Sequence, residues 1–176
     1  NYALRASGGT HVSQGSTMRL AGGEISGNMA NQGGGVSVSD KSTLVMDGGE
    51  VSGNSAVPNS NSPTNNNSGG ISVQKGGTFI LNNGAVKGNA ASYGAGVSGW
   101  AANLIQINGG EISFNSAKDL SFDDNGTTYS QYGKYGGGIN LGGGSTLELN
   151  GGRVVSNSAT TDSGGLKTYA SETVKA

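Results

Sequence analysis

The chain has no cysteine, one histidine, one tryptophan and two prolines among its 176 residues. Without cysteine there is no disulfide framework, no thiol nucleophile and no cysteine-bound zinc. No segment approaches the roughly 18 consecutive apolar residues of a membrane-spanning helix. Charge of one sign is also missing: ten Lys plus Arg face eleven Asp plus Glu, and neither sign forms a run. Nothing here makes the basic footprint that nucleic acid or an anionic membrane surface requires, so neither partner is expected. Aromatic residues are only 6% of the chain, too few for an ordinary compact core. The chain opens on Asn1 without a methionine or an apolar leader, and so reads as a mature piece or a fragment.

Glycine is what the chain has in excess, 35 residues of it, without the strict every-third spacing of collagen. Much of it belongs to a repeat. "GGEISGNMA" (22–30), "GGEVSGNSA" (48–56) and "GGEISFNSA" (109–117) are near copies, and "NGAVKGNAA" (83–91) and "GGRVVSNSA" (151–159) are looser ones. Asn28, Asn54, Asn89, Asn115 and Asn157 fall 26, 35, 26 and 42 residues apart. Seven residues before the Ile or Val of each copy stand Met18, Leu44, Phe79, Ile105 and Leu147; eight before those stand Thr10, Val36, Ile71, Val97 and Ile139. The unit therefore contains three short strands of alternating pattern, as in "GVSVSD", "STLVMDG" and "GEVSGNSA". All the length variation falls between the "NxA" and the next Gly-rich segment, with long inserts at 57–70 and 118–138.

Three strands in 26 residues cannot bury an apolar face alone, but stacked units can, about 4.8 Å apart. The expected fold is all-β: a single solenoid over residues 1–176, a parallel β-helix of three strands per coil and about six coils. Its hand is right by the general rule for parallel connections. A propeller would need four antiparallel strands in about 40 residues with an aromatic motif in each blade, which is absent. The Gly pairs at 22–23, 48–49, 109–110 and 151–152 are read as sharp turns. The five asparagines are expected to stack into a structural amide ladder at a bend.

The segments "GGGV" (33–36), "GGI" (69–71), "GAGV" (94–97) and "GGGI" (136–139), each followed later by hydrophobic-x-x-Asn, resemble the GGA(I/L/V) and FxxN repeats of bacterial polymorphic membrane proteins and related autotransporter passengers. That resemblance spans nearly the whole chain. It implies a secreted or cell-surface right-handed β-helix serving as an adhesin or stalk, with no catalytic residue.

Enzymes also occur on parallel β-helices, and their acid and base are clustered carboxylates. Asp119, Asp123 and Asp124 are the candidates, with Lys118 and Lys134 nearby, but "SFDDNGTTYSQYGKYGGG" reads as a solvated, tyrosine-decorated loop and no catalysis is expected. The same segment supplies the candidate interaction residues Asp123, Asp124, Tyr129, Tyr132 and Tyr135, for a host surface or a glycan. Asn66 and Asn125 begin sequons within the inserts and are candidate glycosylation sites. The column Glu24, Glu50 and Glu111 is read as a solvated face, and no metal or cofactor is expected. The outward Thr17, Thr43, Thr78 and Thr146 stand beside a mixed column, which argues against an ice-binding face. His11 is read as surface decoration, in line with Ser37, Ser72, Ser98 and Asn140, and Trp100 as corner packing. Asn1-Tyr2-Ala3 reads as the close of a coil, and Val174 and Ala176 as the inward pair of a second strand. Open ends of that kind are expected to belong to a longer passenger or to stack on further copies as a fibre.

Overall fold

The computed structural model describes residues 1–5, 7–59 and 68–176. All regular structure among them is β: four parallel sheets in which each strand pairs with its counterpart one repeat away, and one two-stranded antiparallel sheet within an insert. Sheet one stacks six strands, Thr10–Val12, Val36–Val38, Ile71–Gln74, Val97–Trp100, Ile139–Gly142 and Leu166–Lys167. Sheet two stacks Thr17–Leu20, Thr43–Met46, Thr78–Leu81, Leu104–Ile107, Thr146–Leu149 and Thr173–Lys175. Sheet three holds Glu24–Ser26, Glu50–Ser52, Ala85–Lys87, Glu111–Ser113 and Arg153–Val155.

The expected third strand proves to be two. After Ser26, Ser52, Lys87, Ser113 and Val155 the chain breaks, and the two residues after each Asn pair separately as a fourth sheet. This sheet stacks Tyr2–Ala3, Met29–Ala30, Ser55–Ala56, Ala90–Ala91, Ser116–Ala117 and Ser158–Ala159. The break is a left-handed residue immediately before each Asn: Gly27, Gly53, Gly88, Phe114 and Ser156 have φ of 62, 61, 64, 55 and 54°. One such residue turns the chain and stops a strand, so a pattern of period two cannot run through it.

The register places like residues above like residues. Ile71 pairs with Val36 and Val97, Phe79 with Leu44 and Ile105, and Val86 with Val51 and Ile112. These side chains point inward and are fully buried in one continuous core. Where the inner column of sheet one loses its side chain at Gly99, Ile105 Cδ1 and Leu141 Cδ2 occupy the space; a Cβ there would stand 2.8 and 3.1 Å from them. The inward face of sheet four is all alanine, and Ala56, Ala91 and Ala95 form a small second core. Small residues are needed there because a strand of two residues bounded by bends brings its neighbouring sheets close together.

Between sheets three and four runs a ladder of buried amides. Asn1 Nδ2 donates to Asn28 Oδ1, Asn28 to Asn54, Asn54 to Asn89, Asn89 to Asn115 and Asn115 to Asn157, at 2.8, 2.9, 3.0, 2.9 and 3.0 Å. The second proton of each Nδ2 returns to a carbonyl of the preceding coil: Asn54 to Ile25, Asn89 to Val51, Asn115 to Val86 and Asn157 to Ile112, each at 2.9 Å. The backbone N–H groups of Asn28, Asn54, Asn89 and Asn115 donate to the next Asn Oδ1 as well. Asn54, Asn89 and Asn115 thus use both side-chain protons and both oxygen lone pairs, which is what burial of an amide demands. Gly35 lies against this ladder. A Cβ there would come within 2.8 Å of Asn54 Nδ2, of Val51 Cγ1 and of the Gly70 carbonyl, so only glycine fits.

A second ladder, not foreseen from the repeat, runs along the exposed corner between sheets two and three. Asn150 donates to Asn108, Asn108 to Asn82 and Asn82 to Asp47, at 2.9, 2.8 and 2.8 Å. Its donors point toward the N-terminus, opposite to those of the buried ladder. It ends on an aspartate, which needs no onward acceptor and pairs with Arg19 at 2.6 Å.

The two ladders should respond differently to truncation. Asn89→Ala removes four buried side-chain hydrogen bonds and orphans groups on both neighbouring coils, so a loss of about 3 kcal/mol or more is expected in urea unfolding. Asn108→Ala opens only water-accessible groups, and about 1 kcal/mol or less is expected. Equal losses would show that burial does not set the strength of the inner ladder. Phe114 carries the left-handed strain without glycine's freedom, so Phe114→Gly is expected to raise stability by about 1 kcal/mol; an unchanged or lower unfolding midpoint would contradict that.

Candidate functional site

The insert after Ala117 is an antiparallel hairpin where the sequence reading expects a loop. Leu120–Asp124 pairs with Thr127–Gln131, in the register Leu120 to Gln131, Phe122 to Tyr129 and Asp124 to Thr127. The turn is Asn125-Gly126, with φ of 54 and 80°. An Asn-Gly pair between alternating residues is the sequence signal for such a hairpin. It goes unnoticed beside the solvated character of the flanking residues.

Alternation gives the hairpin two faces. Phe122, Tyr129 and Gln131 are partly or wholly buried, whereas Ser121, Asp123, Thr128 and Ser130 are exposed. The Phe122 ring lies 4.9 Å from that of Tyr2, in the first strand of sheet four. The insert therefore leaves the fourth-sheet corner at Ala117 and reaches back to the beginning of the stack. The described start of the first insert makes a similar contact: Val57 and Asn59 are buried, and Asn59 Nδ2 donates to the Leu4 carbonyl at 3.0 Å.

This architecture uses the carboxylates for folding. Asp119 Oδ1 accepts from the Gly133 N–H at 2.7 Å and closes the base of the hairpin. Asp123 Oδ1 accepts from the Gly126 N–H at 2.9 Å and fixes the turn, while Asp124 Oδ1 accepts from Asn125 Nδ2 at 3.2 Å. Asp119 and the pair Asp123 and Asp124 thus stand at opposite ends of the hairpin. The structure does not bring them together as an acid and base. Of the glycosylation candidates, Asn125 occupies the exposed tip, and Asn66 lies outside the described residues.

The proposed interaction residues separate into two groups. Tyr129 turns inward with Phe122, Asp123 and Asp124 hold the tip, and Tyr132 is exposed to 78%. Tyr135 belongs elsewhere. It stands between Tyr93 and Tyr169, with ring centroids 5.8 and 6.2 Å away, on the link that leads into sheet one. Tyr93 and Tyr135 are bridged in parallel register, and Tyr135 is bridged in turn to Asp162. Lys134 Nζ lies 5.5 Å over the Tyr93 ring. Lys167 Nζ lies 5.4 Å over Tyr135 and 5.7 Å over Tyr169.

The electrostatics follow from these contacts. The hydrogen bond to Tyr93 holds the Lys134 ammonium above its ordinary pKa. Asp162 is held below the usual carboxylate range, first by Lys167, which donates to it at 2.6 Å, and then by Ser163. Burial raises Tyr169, with Tyr135 contributing next. This tyrosine–lysine strip is the second feature that the repeat reading missed. Tyr93, Lys134 and Tyr135 come from the links that lead into sheet one, whereas Lys167 ends the last sheet-one strand and Tyr169 follows it, so no fixed spacing within the repeat announces the strip.

Links of this kind also change the reading of the outward column of sheet one. Ser37, Ser72, Ser98 and Asn140 are buried, because the link segments fold over them: a Cβ on Gly94 would stand 2.9 Å from Ser98 Cβ, and one on Gly136 2.8 Å from Asn140 Cβ. His11, in register with Ser37, shares a hydrogen bond of 3.1 Å with Ser39 Oγ. Trp100 is 58% exposed, at the end of its sheet-one strand, and its ring lies over Gly142. The glutamate column is divided among separate partners: Ser52 donates to Glu24 at 2.6 Å, Glu50 pairs with Lys87 at 2.7 Å and Glu111 with Arg153 at 3.8 Å.

Comparison with protein-family models, curated proteins and solved structures finds no match to this chain.

If the hairpin straps the start of the stack, Phe122→Ala should speed amide exchange at residues 1–12 and leave Ile139–Gly142 unchanged. Exchange that rises equally at both ends, or at neither, would remove the strap.

Proposed function

We propose that this chain is a structural element of the bacterial cell surface or of the secreted space: a right-handed β-helix of about six coils that forms part of an adhesin stalk or of a head-to-tail fibre. The observation that carries the reading is the division of labour in the repeat. Every coil interface described keeps its ladder pairing in register, and the long inserts leave from one corner only. Such a molecule is a rod with a display edge. Another coil, whether from a longer passenger or from a second copy, could be added by the same hydrogen bonds that join the coils within the chain. Right-handedness follows the general rule for parallel connections. The resemblance to autotransporter passengers supports the same setting, with a host surface or a glycan as partner for the display edge.

An enzymatic reading has less support, because the carboxylates of the long insert are engaged at opposite ends of a hairpin. The test is to image the purified chain by electron microscopy at rising concentration, and to follow the length of acidic and neutral polysaccharides incubated with it. Rods or end-to-end filaments with an axial repeat of about 4.8 Å and polysaccharides of undiminished length are expected. Polysaccharide shortening by the chain would overturn the structural reading in favour of an enzyme.

A further inference from the structure

We propose that Tyr93 and Tyr135 are a site of oxidative crosslinking, where coupling of the two rings staples neighbouring coils through a dityrosine bond. This goes beyond the structural reading and does not depend on it. Backbone geometry is the first argument. Tyr93 and Tyr135 lie on links outside the four stacked sheets, yet an isolated parallel bridge sets them side by side. The Lys134 N–H donates to the Ser92 carbonyl at 2.9 Å and the Gly94 N–H to the Tyr135 carbonyl at 3.1 Å, which fixes that register on both sides. The ring centroids are 5.8 Å apart and the planes tilted by 54°. Rings held as neighbours by the fold can react without the entropic cost of an encounter.

Selectivity is the second argument. Of the six tyrosines, Tyr2 stacks on Phe122 at 4.9 Å, Tyr129 is paired across the hairpin with Phe122, and Tyr132 is 78% exposed. Phenylalanine has no hydroxyl and forms no phenoxyl radical. Ring contacts between two tyrosines are confined, among the described residues, to Tyr93 with Tyr135 and Tyr135 with Tyr169. The second of these is wider, at 6.2 Å, and has no backbone bridge to hold it. The chain has no cysteine, so a disulfide cannot staple its coils, and tyrosine coupling is an oxidative crosslink that remains open to it.

The oxidant is hydrogen peroxide acting through a haem peroxidase, and both Tyr93 and Tyr135 are partly exposed to it. Each phenol gives up one electron and one proton and becomes a neutral phenoxyl radical. Lys134 Nζ lies 5.5 Å over Tyr93 and Lys167 Nζ 5.4 Å over Tyr135, which disfavours a ring radical cation, so the proton leaves with the electron. The ring carbons ortho to the two hydroxyls then form a bond, and the hydrogens they carried move to the phenolic oxygens, restoring both rings. The two electrons and two protons removed reduce one peroxide to two waters. The new bond closes a loop that contains the hairpin, which constrains the unfolded chain and so stabilises the fold.

The test is to treat the full chain in dilute solution with hydrogen peroxide and a haem peroxidase, and to read dityrosine fluorescence, intact mass and the joined peptides of a digest. The expected product is a monomer lighter by two hydrogen atoms, with the peptides of Tyr93 and Tyr135 joined and an unfolding midpoint above that of the untreated chain. Tyr93→Phe and Tyr135→Phe keep the ring and should each abolish that product, whereas Tyr132→Phe should leave it intact. Circular dichroism would confirm that the variants fold. The proposal is overturned if conditions that couple free tyrosine leave the chain uncoupled or couple it only between molecules. It is equally overturned if the monomeric product joins another pair of tyrosines in preference, or survives in Tyr135→Phe. Filaments and polysaccharide length do not enter this measurement, so the crosslink and the structural reading stand or fall separately.

Discussion

Much of this structure depends on the buried asparagine amide. Asn54, Asn89 and Asn115 each have two donors and two acceptors, with no water to satisfy them, and each finds all of its partners in the coils above and below. That requirement sets the other features of the corner. The preceding residue must be left-handed to aim the side chain along the axis. Facing it, Gly35 must lack a Cβ, since a side chain there would displace the amide. The coils must keep one separation, since an orphaned amide in this setting costs more than the bond contributes. A chain with few large apolar residues thus obtains from polar pairing much of the uniqueness that packing usually supplies.

The exposed ladder from Asn150 to Asp47 gives a useful contrast. Its bonds are as short as those of the inner ladder, but water can replace each of them, so it has little leverage on the fold. Its composition varies accordingly: the sequence has Ala21 at this turn in the first coil, Asp47 in the next and asparagine thereafter. The inner ladder shows no such latitude. From Asn1 to Asn157 every rung is asparagine, because an aspartate could not donate to the next rung and an alanine could not bond at all.

What the residues revealed in advance, and what they did not, follows the same division. Columns such as Leu44, Phe79 and Ile105, found by counting back from the Ile or Val of each copy, are columns of the observed register, because burial imposes period two on a strand and identity on a stack. The fourth sheet was hidden because two-residue strands such as Ser55–Ala56 are too short to show a period. The hairpin was legible from Asn125-Gly126, but polar composition argued for a loop. The strip of Tyr93, Tyr135 and Tyr169 was not legible: its members stand at unequal distances along the chain, and a bridge between links joins the first two while only a ring contact brings in the third.

Variation collects at one corner for a physical reason. Lengthening a link costs little, about 0.6 kcal/mol of closure entropy for each doubling, provided that both ends re-enter the ladder in register. A length change within the asparagine corner or within a strand would shift every inward side chain to the wrong face. The corner after sheet four is different, because its strands hold only two residues, small on the inward side, and can be left and re-entered at little cost in packing. Lys118 and Gly133 illustrate this: the backbone departs and returns at neighbouring points, with Asp119 accepting from the Gly133 N–H, so the hairpin between them leaves the ladder undisturbed. The hairpin and Asn59, at the start of the first insert, then contact residues near the start of the stack, Tyr2 and Leu4. The corner that tolerates new sequence is thereby also the one where a rod with little chemistry of its own can acquire a surface for binding.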